Sequence, residues 1–343
     1  MRAVVCRSLG PLEGLVVEER PAPVPGPGQV VVAVRAAGVN YVDGLMAQGR
    51  YQIKPPTPYV PGGEIAGEVV ALGEGVAGLA PGDRVLAITG LGAFAEQVAL
   101  PAASVHPVPE GLGLGQAASC VQSYATMLFA LTRRTTLAAG EHVLVLGAGG
   151  GIGLAAVDVA RALGAEVVAA ASSPDKRAAA LAMGAYAAIA YEEEDLKTRA
   201  RELAGGELDV VVDPVGGHHS EPALRALGPF GRFLVIGFAS GPIASVPLNQ
   251  VLLRNRSVIG VDWGAWAFAD MAANRILVGE VLAMLAAGRL HPVVPAELPL
   301  EAAPDAMRAL IERGVTGKVV LVPSAEAPGD AGQGALSARR SAR

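Results

Sequence analysis

The sequence predicts an α/β chain in two parts, a β-rich domain followed by a doubly wound parallel sheet. Three observations predict it. Short Val-rich runs separated by Pro-Gly and Gly-Asp turns fill residues 1 to about 119. From about residue 124, apolar strands alternate with helical stretches, the pattern of a parallel sheet covered on both faces. Apolar residues make up 52% of the 343 residues but aromatics only 4%, and small side chains suit tightly packed α/β layers.

In the first part, residues 1–7, 29–36, 64–72, 83–88 and 93–99 read as strands, with turns at Pro25-Gly26-Pro27-Gly28 and Pro81-Gly82-Asp83. In the second, strands are expected over 141–147, 165–171, 186–191, 208–213 and 231–237. Helices are expected over 152–163 and 174–183, ending at Gly164 and Gly184, and from Asp195 and Glu221. Beyond 264, a long helix over 271–288 leads to 301–313 and a last strand, 318–322, which should return to close the first domain. The expected domains are therefore 1–121 with 265–323, then 122–264, and a disordered Ala/Gly/Ser/Pro tail over 324–343.

The formal net charge of −5, with no run of Lys or Arg, argues against nucleic acid and against an anionic membrane surface. Residues 1–7 lack the apolar run of a secretory signal, and the longest uncharged apolar stretch, 143–157, is too short and Gly-rich to span a bilayer. Cys6 and Cys120 give neither a disulfide framework nor a metal knuckle, so a cytoplasmic location is expected.

The segment Leu146-Gly147-Ala148-Gly149-Gly150-Gly151-Ile152-Gly153-Leu154 joins an expected strand to an expected helix. A strict dinucleotide motif has Gly at 148, 150 and 153; here the first is Ala148. Gly150 would let the backbone approach a pyrophosphate, and Gly153 would let the helix pack closely on the strand. The first helical turn then offers N–H groups and the positive end of the helix dipole. Such a motif is weak alone; its strand-to-helix context makes it a dinucleotide site.

An NAD-selective site usually places Asp or Glu at the end of the next strand. Here Ala171-Ser172-Ser173 occupies that place, followed by Lys176 and Arg177. Hydroxyls and cations can hold a 2′-phosphate, which points to NADPH; Asp175 is the contrary charge, and each cation alone would read as a solvated helix residue.

The domain order resembles the medium-chain dehydrogenase/reductase superfamily over residues 1–323. Zinc members carry a Gly-His-Glu motif and an upstream Cys. Pro61-Gly62-Gly63-Glu64 here has Gly63 for the His, and Gly38-Val39-Asn40-Tyr41-Val42-Asp43 has Asn40 for the Cys. Two cysteines cannot build a four-cysteine structural lobe, and the five histidines (His106, His142, His218, His219, His291) show no helical ligand spacing. His218-His219 reads as a solvated loop, and no metal site is expected. These segments, with 147–153 and Gly231-Arg232-Phe233-Leu234-Val235-Ile236-Gly237-Phe238-Ala239, are similar to the zinc-free NADPH:quinone oxidoreductases of the zeta-crystallin type.

That resemblance implies a GroES-like β-rich catalytic domain and a Rossmann NADPH-binding domain. It puts Asn40, Tyr41 and Asp43 beside the nicotinamide, with Thr126 on its other side. Gly150, Gly151, Ile152 and Gly153 would meet the pyrophosphate, Ser172, Ser173 and Lys176 the 2′-phosphate, and Tyr191 the adenosine end. Gly237, Phe238, Ala239, Ser240, Val261, Asp262 and Trp263 would contact the nicotinamide half, and Arg313 the cofactor near the C-terminus. Pro214 departs from the Ser common in relatives, so that contact is not carried over. A homodimer, paired near 257–261, is also implied.

Without a Lewis acid, simple ketones are poor hydride acceptors. A quinone yields a phenolate that water can protonate, whereas an α,β-unsaturated carbonyl yields an enolate that needs hydrogen-bond donors. Tyr41 is the candidate catalytic donor, with the Asn40 amide beside it. Three functions stay open: quinone reductase, enoyl or alkenal reductase, and a non-catalytic NADPH-binding structural or RNA-associated protein of the zeta-crystallin kind. Trp263, Trp266, Tyr51 and Tyr59 either line a substrate pocket or pack.

Overall fold

A computed structural model describes residues 1–323, and the tail expected over 324–343 lies outside the described residues. The chain divides into two compact units: Met1–Val121 with the segment from Val293, and Gln122–Pro292.

In the first unit, β1 (Arg2–Cys6) and β2 (Leu15–Glu19) pair antiparallel. Then come β3 (Gln29–Val39), β4 (Glu64–Leu72), β5 (Arg84–Ile88), β6 (Gln97–Pro101) and β7 (Val105–Pro107). Their β-branched side chains suit a pleated, half-buried surface. Val30, Val32, Val34, Ile65, Val69, Val85 and Phe94 bury into one apolar core. Two helices here were not expected. α1 (Tyr41–Ala47) starts where the Asn40 N–H donates to Asp43 Oδ2 at 2.8 Å. α2 (Leu114–Phe129) runs through small residues that give no clear period, and the unit boundary falls inside it.

In the second unit, β8 (His142–Leu146) is followed by α3 (Gly151–Ala162), β9 (Glu166–Ala170), α4 (Pro174–Ala182), β10 (Ala187–Ile189), α5 (Leu196–Leu203), β11 (Leu208–Asp213), α6 (Ser220–Ala226), β12 (Leu227–Val235) and β13 (Ser257–Gly260). All the strands pair in parallel, in the order β10-β9-β8-β11-β12-β13. Leu144 and Leu146 sit in the core, and Val143 and Val145, on the opposite face, are buried too. This is why the strands read as continuous apolar runs. The connection reverses between β8 and β11, making a topological switch point at the carboxyl ends of those strands.

The chain then returns. β14 (Ala296–Pro299) pairs with β15 (Val319–Val322), and β15 pairs antiparallel with β3, giving β14-β15-β3-β4-β5-β7 with β6 also on β3. The expected closing strand is therefore present, but the return begins at Val293, not at 265 as expected. Helix Met271–Ala286 belongs to the second unit. The helix buries Leu277, Val278, Val281 and Leu285, and a polar anchor that leaves no sequence signal holds the chain just beyond it. Asp158, fully buried in α3, accepts from Tyr124 Oη at 2.9 Å, from Arg161 Nη2 at 2.8 Å and from the His291 backbone N–H. Arg289 Nη2 also donates to Ala162 O at 2.9 Å.

Asp158→Ala should remove the buried acceptor shared by Tyr124, Arg161 and the His291 N–H, at a cost of about 1–3 kcal/mol of unfolding free energy. Denaturant unfolding with fluorescence detection measures it; an unchanged midpoint would show that the anchor is not what holds residues 289–291.

Candidate cofactor and active site

The glycine loop is built by close approach. Gly147 turns with φ 58°, Gly150 N–H donates to Gly147 O at 3.0 Å, and α3 begins at once. A Cβ on Gly153 would lie 2.2 Å from Gly147 O, so only glycine lets α3 pack this near the turn. A Cβ on Gly149 would meet Lys176 Cβ at 2.4 Å, which brings the start of α4 against the loop. Gly149 stands outside the motif's three glycine positions, so the motif gives no sign of this contact. The first N–H groups of α3, those of Gly151, Ile152 and Gly153, have no intrahelical acceptor by helix geometry, and no side chain caps this end. Backbone, helix dipole and missing side chains together fit a pyrophosphate.

Ser172, Ser173, Lys176 and Arg177 gather at the end of β9 and the start of α4. Ser172 is exposed; Ser173 caps α4 by accepting from Lys176 N–H at 3.4 Å; Arg177 Nη1 reaches Ala171 O at 3.4 Å. Asp175 is exposed in the first turn of the same helix.

At the carboxyl edge of the sheet, loops after β11 and β12 are laced together. Ala239 N–H donates to Pro214 O at 3.1 Å and Ser240 N–H to Val215 O at 2.9 Å. Buried Asp213 holds this turn through Val215 N–H and Gly216 N–H, each at 2.8 Å, and Ser220 Oγ at 2.6 Å. Gly237 adjoins Pro214, and Phe238 lies half-exposed over Gly216. Tyr191 is buried and packs on His219, with centroids 4.3 Å apart. His219 is itself buried, which corrects the expected solvated loop; burial first, then His218, lowers its pKa from the ordinary imidazole value.

The remaining expected contacts of this unit are partly spent on structure. Asp262 caps the helix Trp263–Ala269 by accepting from Ala265 N–H at 2.9 Å. Trp263 is buried and donates to Asn274 Oδ1 at 3.0 Å, and Val261 N–H is held by Val235 O. Thr126 Oγ1 donates to Gln122 O at 2.7 Å. Trp266 stacks on Phe129 at 4.7 Å, so it packs.

In the first unit, Asn40 and Asp43 belong to a buried polar cluster. Asn40 Nδ2 donates to Glu64 Oε1 at 2.9 Å. Lys318 Nζ donates to Asn40 Oδ1 at 2.7 Å and lies 3.2 Å from Glu64 Oε1. Glu64 and Lys318 are only 1% and 7% exposed. Burial pushes the Asp43 carboxyl up to about 7; Glu64 adds to the rise, while the Asn40 N–H and Lys318 oppose it. Asp43 Oδ1 has no hydrogen-bond partner among the described residues. Tyr41, half-buried at the start of α1, makes no hydrogen bond through its hydroxyl among the described residues. Tyr59 packs against the core, and Arg313 sits in the left-handed region with φ 58° just past the last helix, Ala303–Ile311. Lys318 escaped the sequence reading; its one signal is a lysine opening an otherwise apolar strand.

A parallel sheet in this order, with a glycine-rich turn between its first strand and helix, defines the dinucleotide-binding α/β class. The alcohol dehydrogenase GroES-like domain family matches residues 26–110, and the zinc-binding dehydrogenase family matches residues 151–276. Quinone oxidoreductase-like protein 2 of Rattus norvegicus is 38% identical over 323 residues, 93% of this chain and 91% of its own. The synaptic vesicle membrane protein VAT-1 homolog of Homo sapiens is 32% identical over 344 residues, 95% of this chain and 87% of its own. The quinone oxidoreductase of Thermus thermophilus, solved alone and with NADPH, superposes with a TM-score of 0.80 at 38% identity, covering 94% of this chain and all of that one (100%). The chain belongs to the medium-chain dehydrogenase/reductase superfamily, among its quinone oxidoreductase-like members. It has that superfamily's GroES-like domain and Rossmann-type parallel sheet.

Two outcomes follow from the buried cluster. Lys318→Met should remove the ammonium that meets the buried Glu64 carboxylate and cost about 3–5 kcal/mol, with Lys318→Met/Glu64→Gln recovering much of it, by equilibrium unfolding. Because the folded-state pKa of Asp43 is raised, the folded state holds its proton over the window from the ordinary aspartate range to about 7, where the unfolded state has lost it. Stability should therefore fall as pH rises through that window, and Asp43→Asn should flatten this slope. An identical slope in the variant would remove Asp43 as its source.

Proposed function

We propose that the chain is an NADPH-dependent quinone oxidoreductase that works without metal. The observation that carries this reading is the buried Lys318–Asn40–Glu64 cluster. Zinc relatives place metal ligands at the positions of Asn40, Gly63 and Glu64. Here Gly63 offers no side-chain donor, and a lysine ammonium already engages the oxygens of Asn40 and Glu64. An acceptor that needs no Lewis acid is then the natural substrate. When bound, the cofactor would supply hydride.

The 147–153 backbone and the first turn of α3 would hold the pyrophosphate, and Ser172, Ser173 and Lys176 the 2′-phosphate, with no carboxylate closing β9 to repel it. The NADPH complex of the Thermus relative supports the same choice. A quinone that accepts hydride leaves a phenolate, which takes its proton from water. Asn40 commits its amide oxygen to Lys318 and one N–H to Glu64, whereas the Tyr41 hydroxyl makes no hydrogen bond among the described residues, so Tyr41 is the donor assigned to the acceptor oxygen. The reading includes a homodimer formed through β13, the last strand in its sheet order, where Val258 is 45% exposed.

NADPH oxidation by the chelator-treated protein should run faster with a quinone than with an alkenal, by about tenfold or more. A reversed preference would establish the enone reading, and tight NADPH binding with neither acceptor consumed would establish a binding role. Lys176→Glu should raise the KM for NADPH about ten- to a hundredfold while leaving that for NADH nearly unchanged. Equal effects on both cofactors would remove the phosphate clamp.

A further inference from the structure

Two loops at the carboxyl edge of the parallel sheet bring together Glu192, which follows β10, and His218 and His219, in the turn Gly217–His219 after β11. One ligand atom from each lies within 4.8 Å of the others. His219 is 4% exposed, and its Nε2 is buried without a hydrogen-bond partner among the described residues. The nearest carboxylate oxygen, Glu192 Oε1, is 3.6 Å from that nitrogen, too far for a hydrogen bond. Two ligands around one tetrahedral ion, each at about 2.0–2.2 Å, stand roughly 3.3–3.5 Å apart. The separation therefore suits a shared ion better than a direct bond. Tyr191 at 4.3 Å and His218 at 3.8 Å pack against the His219 ring and fix its direction.

We propose that Glu192, His218 and His219 form a binding site for a borderline divalent cation of the Zn²⁺ type, with water completing its coordination. Two imidazoles and one carboxylate suit Zn²⁺, Co²⁺ or Ni²⁺; Mg²⁺ and Ca²⁺ prefer all-oxygen shells. Exposed His218 and Glu192 give the ion a route from solvent, and His219 supplies the fixed, pre-desolvated ligand. The ion would tie the loop after β10 to the loop after β11. All three ligands lie in the second unit, and the site requires neither NADPH nor an acceptor.

Full-length protein, freed of any affinity tag and of metal, is titrated with Co²⁺ and then Zn²⁺. One equivalent of Co²⁺ should develop the strong visible absorption of a tetrahedral ion, and Zn²⁺ should bleach it. His218→Ala and Glu192→Gln, both at exposed side chains, should each weaken binding about tenfold or more, while His106→Ala binds as the parent does. Thermal melts of the metal-free variants verify that they fold. Failure of the parent to take up Co²⁺ or Zn²⁺, or uptake by the two ligand variants equal to the parent's, would overturn the site.

Discussion

A buried carboxylate needs partners, and in the first unit that need shapes the sheet. Glu64 opens β4 almost without solvent contact, and within its unit the cation that meets it is Lys318, 254 residues further along the chain. Lys318 can arrive only if the C-terminal segment returns as β15 and pairs with β3. Once the sheet is closed, removing either charge would strand the other at a cost of several kcal/mol, so the pair specifies which segment closes the edge while apolar burial drives the closure. Asn40 sits between the two charges, accepting from one and donating to the other, and its backbone N–H is taken by Asp43. The start of α1 is thereby fixed in position and direction. Tyr41, the next residue, is presented by a rigid neighbour rather than by a mobile loop.

The second unit solves a different problem, the approach of a backbone to a highly charged ligand. Here the device is missing side chains. Gly149 and Gly153 let the turn, α3 and the start of α4 crowd together at distances that a Cβ would forbid. The crowding places helix-start N–H groups next to the hydroxyls and cations of 172–177. Phosphate chemistry and sheet packing are thus one constraint, since the glycine that permits close packing also exposes the peptide groups that an anion would use.

What could be read from the sequence follows from the range of each interaction. The parallel strands and their helices were legible because two-faced burial makes unbroken apolar runs and because Gly164 and Gly184 stop their helices locally. The closing strand was legible too, since an unfinished sheet needs an edge. The extent of the return was not. It depends on Asp158 reaching Tyr124, Arg161 and the backbone of His291, partners scattered over more than 160 positions that share no periodicity. α1 was hidden because its seven residues are too few for a helical pattern, so only the Asn40–Asp43 cap marks its start. The Asn40 motif drew attention to the right place, but its engagement by Lys318 is a pairing in space that no spacing rule encodes.

The two units also differ in how they settle buried polar atoms. In the first, the Asn40, Glu64 and Lys318 side chains bond to one another, while Asp43 Oδ1 beside them has no partner among the described residues. At the carboxyl edge of the parallel sheet, Asp213 is fully engaged, yet neighbouring atoms are not: Ser240 Oγ and His219 Nε2 are buried without partners among the described residues. A folded chain rarely tolerates such atoms unless something supplies the missing bond. In open α/β sheets the carboxyl edge is where ligands enter. Unpaired donors and acceptors gathered at that edge, beside a turn already pinned by Asp213, are what an edge prepared for external partners requires. The electrostatic logic of the molecule therefore runs in two directions, inward closure around Lys318 and outward availability around the loops after β10, β11 and β12.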